Sequence, residues 1–232
     1  MTMAFRTSRA RAARLLCLFA LAILSAAAPT GKAAAKKAPP KKKEVKQAKP
    51  RDYAKTLATL RTSQGDVTIR FLYDKAPSGV KTFVDLAEKG FYDGTSFHRV
   101  VPGFVIQGGD PRTKTLGLDP LTYGFGENTD ALGNPILLKA EFSDVTHRRG
   151  VVAMARRESD PDSASCQFFI VLKDSPFLDR HETVFGEVTK GMDVIDRIVA
   201  ESRPNPLAQN GGQPTSYQKI LKVELSEEGA GK

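Results

Sequence analysis

Residues 97–111 carry most of the chemical information in the chain, reading F-H-R-V-V-P-G-F-V-I-Q-G-G-D-P. They are followed by M-A-R at 154–156, S-A-S-C-Q-F-F-I at 163–170, P-F-L-D at 176–179 and V-F-G at 184–186. In an extended strand, side chains two apart share a face. Phe97 is therefore expected on the side of Arg99, with His98 turned away, and Phe104 on the side of Ile106, opposite Val105 and Gln107. A guanidinium beside Phe104, Phe169 and Leu178 would be a cation at the rim of an apolar pocket. Such a pocket fits a proline ring and needs no acid, base, nucleophile or cofactor. Metal and phosphate chemistry find no support. The histidines at 98, 147 and 181 lack ligand spacing, Cys17 and Cys166 make neither a zinc site nor a disulfide framework, and no G-x-x-x-x-G-K-[ST] string occurs. Cys166 reads as an inert small residue at a strand start and His98 as a structural hydrogen-bonding residue. The pairs Arg148-Arg149 and Arg156-Arg157 read as solvated, with Arg156 bordering the site.

Short strands have to position these residues. Alternating runs cut by turn signals predict strands over 58–62, 67–71, 96–100, 104–107, 151–155, 167–172, 184–188 and 220–225, the first two joined as a hairpin around Gln64-Gly65-Asp66. Pro77 opens and Gly90 closes a helix with Val80, Phe83, Val84 and Ala87 on one face. A second helix over 192–200 turns Val194, Ile195 and Ile198 inward. This pattern predicts a mainly β fold: a closed eight-stranded antiparallel β-barrel capped by two α-helices, since closure removes exposed edges. Residues 112–149, rich in Gly and Pro, read as a long loop of the functional or mobile kind. Its acids Asp119, Glu127 and Asp130 lack calcium-loop spacing and read as solvated.

Taken in order and with these gaps, the motifs resemble the cyclophilin family of peptidyl-prolyl cis-trans isomerases over residues 57–226. The resemblance implies that Arg99 is the catalytic arginine, that Phe104, Val105, Phe169 and Leu178 line a proline pocket, and that Gln107 and Gln167 hydrogen-bond the substrate backbone. Ala155-Arg156 matches the strand whose main chain pairs with residues before proline. Phe177 stands where cyclosporin-sensitive members carry tryptophan, and the chain has no Trp, so weak or no cyclosporin binding is expected. The position usually held by histidine or tyrosine near the pocket corresponds to Glu182, with His181 one place earlier. Either could face substrate. Residues 112–139 are longer than the family's usual loop and lack its compact glycine cluster. The implied partners are proline-containing polypeptides, and the implied cofactor is none.

The formal charge of +9 is unevenly spread: residues 1–55 hold 14 basic and two acidic side chains, a net +12, and residues 56–232 hold 21 and 24, a net −3. A nucleic-acid-binding domain would carry its basic stripe on the folded part, so no nucleic-acid partner is expected. Arg6, Arg9, Arg11 and Arg14, the apolar run 15–24 and the small residues 25–28 have the layout of a secretory signal peptide over 1–28, cleaved near Ala28. The alternative is an uncleaved N-terminal membrane anchor. Residues 29–52, rich in Lys, Ala and Pro, predict a disordered tether. It reads either as a foot for an anionic envelope surface, worth about 1 kcal/mol per cation, or as a solvated spacer. The isomerase-like domain is expected over 53–228, in an exported protein that is periplasmic or secreted.

Overall fold

The computed structural model describes residues 51–115, 118–202 and 212–229. The expected signal peptide and all but the last two residues of the expected tether lie outside the described residues. Strands β1 (Thr56–Thr62) and β2 (Gly65–Phe71) form the anticipated hairpin, with Thr62 paired to Gly65 across a two-residue turn. Alternation buries Ala58 and Leu60 on the first strand and Val67, Ile69 and Phe71 on the second. Helix α1 (Pro77–Glu88) follows, then β3 (Arg99–Val101), β4 (Val105–Gly108), β5 (Val151–Met154), β6 (Phe168–Val171), β7 (Val184–Lys190), α2 (Met192–Glu201) and β8 (Ile220–Glu227). All pairings are antiparallel, in one sheet of order β3-β4-β6-β5-β7-β2-β1-β8.

Eight strands and two helices match the sequence pattern, but the barrel is not closed. β3 and β8 are the two edges of an open half-barrel; among the described residues the segments before them meet through a bridge between Ser96 and Lys219 and nearby bonds such as Gly94 N–H to Ile220 O (2.8 Å) and Ile220 N–H to Thr95 O (2.8 Å). Closure requires a continuous ladder. Here the contact toward β8 stops at that one bridge, of which Phe97 N–H to Gln218 O (3.0 Å) is a part, while on the β4 side Ser96 N–H donates to the Thr113 hydroxyl (2.9 Å) and the ladder covers only Arg99–Val101.

The sheet wraps a core centred on Phe83 of α1, whose ring lies 4.7 Å from Tyr92 and 5.4 Å from both Phe168 and Phe185. Val194, Ile195 and Ile198 of α2 are buried as their spacing predicted. α1 begins on Ala76, which offers no side-chain cap. Its free N–H groups are met from the long loop: the Glu141 carboxylate accepts from Ser78 N–H (3.0 Å) and Gly79 N–H (2.9 Å). A carboxylate there bonds orphan donors and opposes the positive end of the helix dipole. Glu141→Ala is expected to cost about 1 kcal/mol, a fall of roughly 2 to 4 °C in thermal midpoint. An unchanged midpoint would show the cap to be dispensable.

Candidate active site

Strand register assembles the site. Arg99 pairs with Gln107, Gln107 with Phe169, and Phe169 with Ala153, so β3, β4, β6 and β5 each place one residue in a row across a single face. The adjacent row, Val100, Ile106, Ile170 and Val152, points the other way into the main core. On the first face Val105, Val151, Ala153, Phe169, Val171 and Val184 form a separate apolar cluster, with Phe104, Ala155 and Leu178 packed against it.

Two facing expectations are corrected by this geometry. Phe97 is fully buried in the main core while Arg99 faces the second cluster, because residues 97–98 precede the ladder and do not keep strand alternation. Phe104 lies in the turn before β4, its N–H bonded to Val101 O (2.9 Å), and packs on the face of Val105 and Gln107 rather than with Ile106.

A cavity of about 140 Å³ opens on this face, lined by Arg99, Phe104, Val105, Gln107, Ala155, Arg156, Phe169, Leu178 and Glu182. Arg99 is half-buried with its guanidinium 5.9 Å from the Phe104 ring centroid, and among the described residues no side chain or carbonyl bonds to it. Burial lowers its pKa from the usual arginine value, so the cation is held desolvated with its donors unspent. Phe177 is 67% exposed and sits 5.5 Å from Phe104, above the cavity rather than in its lining.

Gln167 is buried, and its side chain is already engaged. Its amide nitrogen donates to Gly124 O (2.9 Å) and Gly126 O (2.8 Å), and its Oε1 accepts from Gln107 Nε2 (3.0 Å). Both ends of this amide are thus held by protein groups, and the side chain lines a cavity beside the first. Arg156 is not solvated: its guanidinium donates to the carbonyls of His181, Arg157 and Glu158, with Nε also 3.2 Å from Glu182. Glu182, not His181, lines the cavity. Burial raises its pKa above the usual glutamate value, opposed by the Arg156 cation. Arg149 is also engaged, donating to Leu172 O and to Asp196.

Sequence reasoning missed the support beneath the floor. The His147 ring lies parallel to Phe169 with centroids 6.4 Å apart. His147 N–H (2.7 Å) and Nδ1 (2.9 Å) both meet Asp179, which follows Leu178, and these bonds hold Asp179 below its ordinary pKa. No short-range motif links residues 32 apart, so only the fold reveals the pair. A second cavity of about 90 Å³ shares Gln107, Ala155 and Arg156 with the first and is walled by Gly124, Phe125, Gly126, Glu127 and Ser165. The acids of the long loop are mostly engaged: Asp119 and Asp130 accept from nearby backbone N–H groups, and Glu127 pairs with Arg157 at 3.0 Å.

His98 and Cys166 lie behind the site. His98 is buried, its ring nitrogens meeting no described protein group in good hydrogen-bond geometry, and burial lowers its pKa from 6.5, opposed by the Asp110 charge and by weaker contacts with Ser96 and Gln167. The unfolded chain therefore takes up this proton first, so its contribution to stability is full above pH 6.5 and is lost as pH falls below it. Denaturant melts from pH 7.5 to 5 should show this slope, and His98→Asn should flatten it; equal slopes would exclude His98 as its source. Cys166 is inert as expected, with burial pushing its thiol up to about 12.

The site is thus an apolar pocket with a desolvated guanidinium at its edge, unbonded among the described residues, on a half-barrel with two helices. The model of the family described as cyclophilin type peptidyl-prolyl cis-trans isomerase/CLD matches residues 57–225. A peptidyl-prolyl cis-trans isomerase of Acinetobacter baylyi is 36% identical over 178 residues, covering 74% of this chain and 86% of the relative. A probable peptidyl-prolyl cis-trans isomerase of Brucella abortus is 39% identical over 168 residues, covering 72% and 80%. A Cryptosporidium parvum cyclophilin type peptidyl-prolyl cis-trans isomerase, solved in the presence of the dipeptide Ala-Pro, shares the fold at TM-score 0.60 and 24% identity, over 74% of this chain and 99% of that one. The chain belongs to the cyclophilin family and is a peptidyl-prolyl cis-trans isomerase.

Proposed function

We propose that this isomerase acts on proline-containing polypeptides during the folding of exported proteins, without a cofactor, and that Arg99 carries the catalysis. The observation that supports this site reading is the half-buried, unbonded Arg99 guanidinium beside an apolar cavity. Rotation about an X-Pro bond faces a barrier of about 18 to 20 kcal/mol because it destroys amide resonance. In the twisted transition state the proline nitrogen becomes pyramidal and regains acceptor character. An Arg99 N–H donates to that nitrogen more strongly than to the planar ground state, which is differential binding. One charged hydrogen bond supplies about 1.5 to 3 kcal/mol. The remainder comes from desolvation and from holding the carbonyl in the rotated geometry.

In this reading Phe104, Val105, Phe169 and Leu178 hold the ring, Gln107 meets the substrate backbone, and the main chain at Ala155-Arg156 pairs with residues before proline. Phenylalanine at 177 gives weak or no cyclosporin binding. The slightly acidic residues 56–232 argue against a nucleic-acid partner, and the basic tail serves an anionic envelope surface or acts as a spacer. Export rests on the layout of residues 1–28. Two measurements test the proposal. Exchange NMR on an X-Pro peptide should show faster cis-trans exchange with the protein present; binding without faster exchange would reduce it to a holding module. Sequencing the native protein from cell fractions should give a start near Pro29 outside the cytoplasm, and an intact start at Met1 inside it would overturn export.

A further inference from the structure

The motif Q-G-G-D ends in Asp110, a fully buried carboxylate that touches no substrate-lining side chain directly. Its Oδ1 accepts from Arg112 N–H (2.7 Å), and its Oδ2 from Gly124 N–H (2.5 Å) and Gly126 N–H (3.2 Å). These bonds fold the loop back on the end of β4. The fit is close: a Cβ on Gly126 would fall inside the Asp110 carboxylate, so only glycine fits there. Gly109 is confined as well, with φ +88° and room for a Cβ only 2.9 Å from Cys166 O.

The loop thus fixed presents two carbonyls, Gly124 O and Gly126 O, to one amide, and both accept from Gln167 Nε2. An amide nitrogen facing two acceptors defines which way the Gln167 side chain is turned. Its Oε1 is then the atom left to face Gln107, and it accepts from Gln107 Nε2. The orientation is passed on: with one N–H committed to Gln167, the Gln107 amide is held in one of its two orientations, which fixes where its carbonyl oxygen lies beside the cavity, on the same row as Arg99.

We propose that Asp110 is a positioning residue for substrate, which acts through the 124–126 loop and Gln167 to lock Gln107 as a hydrogen-bond acceptor for a substrate N–H. The inference rests on Gln107 being a substrate contact. Without the relay the Gln107 amide is free to turn, and half of its orientations oppose a donor nitrogen to the substrate N–H.

The test is a double-mutant cycle. kcat/KM is measured on an Ala-Pro tetrapeptide for the full chain and for Gln107→Ala, Asp110→Asn and Gln167→Met, alone and in the Gln107→Ala background, with a thermal melt for each. Gln107→Ala is expected to lower kcat/KM about tenfold, Asp110→Asn and Gln167→Met about three- to tenfold, mainly through KM, and neither is expected to add more than about twofold once Gln107 is gone. A merely structural role would lower activity equally in both backgrounds, and that result overturns the relay while leaving Gln107 as a contact. Loss of no activity in Gln107→Ala overturns the relay and the contact together. Should Asp110→Asn fail to fold, the Gln167→Met arm decides, since additive losses there break the same chain of bonds.

Discussion

Arg99→Ala is expected to lower kcat/KM for X-Pro isomerisation by about 10- to 150-fold, the worth of one charged hydrogen bond of roughly 1.5 to 3 kcal/mol. It is expected to do so with almost no loss of stability. The guanidinium is half-buried and, among the described residues, without a bonded partner, so the folded state bears part of its desolvation with nothing returned by a described acceptor. Arg99→Lys keeps the charge but loses the planar fork, and should recover little of the rate. The measurement is a protease-coupled assay beside a thermal melt. An Arg99→Ala protein as fast as wild type would remove the proposed mechanism, and one that is slow only because it is unfolded would leave the arginine a structural role.

The second large effect separates two neighbours. Phe168 and Phe169 are consecutive on β6 and point to opposite faces, Phe168 into the main core with its ring 5.4 Å from Phe83 and 5.9 Å from Tyr92, Phe169 into the cavity-side cluster. Phe168→Ala leaves a void among aromatic rings and is expected to cost about 3 to 5 kcal/mol, or roughly 6 to 20 °C in thermal midpoint. The fraction that remains folded should turn over normally. Phe169→Leu keeps an apolar side chain but reshapes the pocket floor, and should lower kcat/KM by about tenfold for a much smaller stability loss. With no tryptophan in the chain, unfolding is followed by circular dichroism. Equal stability losses in both variants would contradict the two-faced assignment of β6.

Much of this architecture was legible before any coordinates, and the exceptions share a cause. The family resemblance pointed to Phe169 and Ala155, and strand periodicity put Val105 and Gln107 on one face because both belong to a ladder, where alternation holds. It failed at Phe97 and Phe104, which lie one or two residues outside a ladder and follow turn geometry instead. The open edge of the sheet was invisible for a related reason: how far the bridge between Ser96 and Lys219 extends depends on segments far apart in the chain. Long side chains were read least well. Arg156 reads as a solvated charge bordering the site, yet its side chain is only 14% exposed, because the carbonyls of His181, Arg157 and Glu158 accept from the guanidinium. His147 carried no local signal at all, since its partners, Asp179 and Phe169, lie far along the chain from it.

The buried thiol of Cys166 bears on the company this enzyme can keep. It is the one free cysteine among the described residues, and with its pKa near 12 it supplies almost no thiolate at neutral pH. Polypeptides folding in an oxidising compartment pair their cysteines while their prolines are still isomerising, and reactive thiols on a helper protein would be caught in mixed disulfides. Among its described residues this domain offers such a client no thiol ready to exchange sulfur bonds with it.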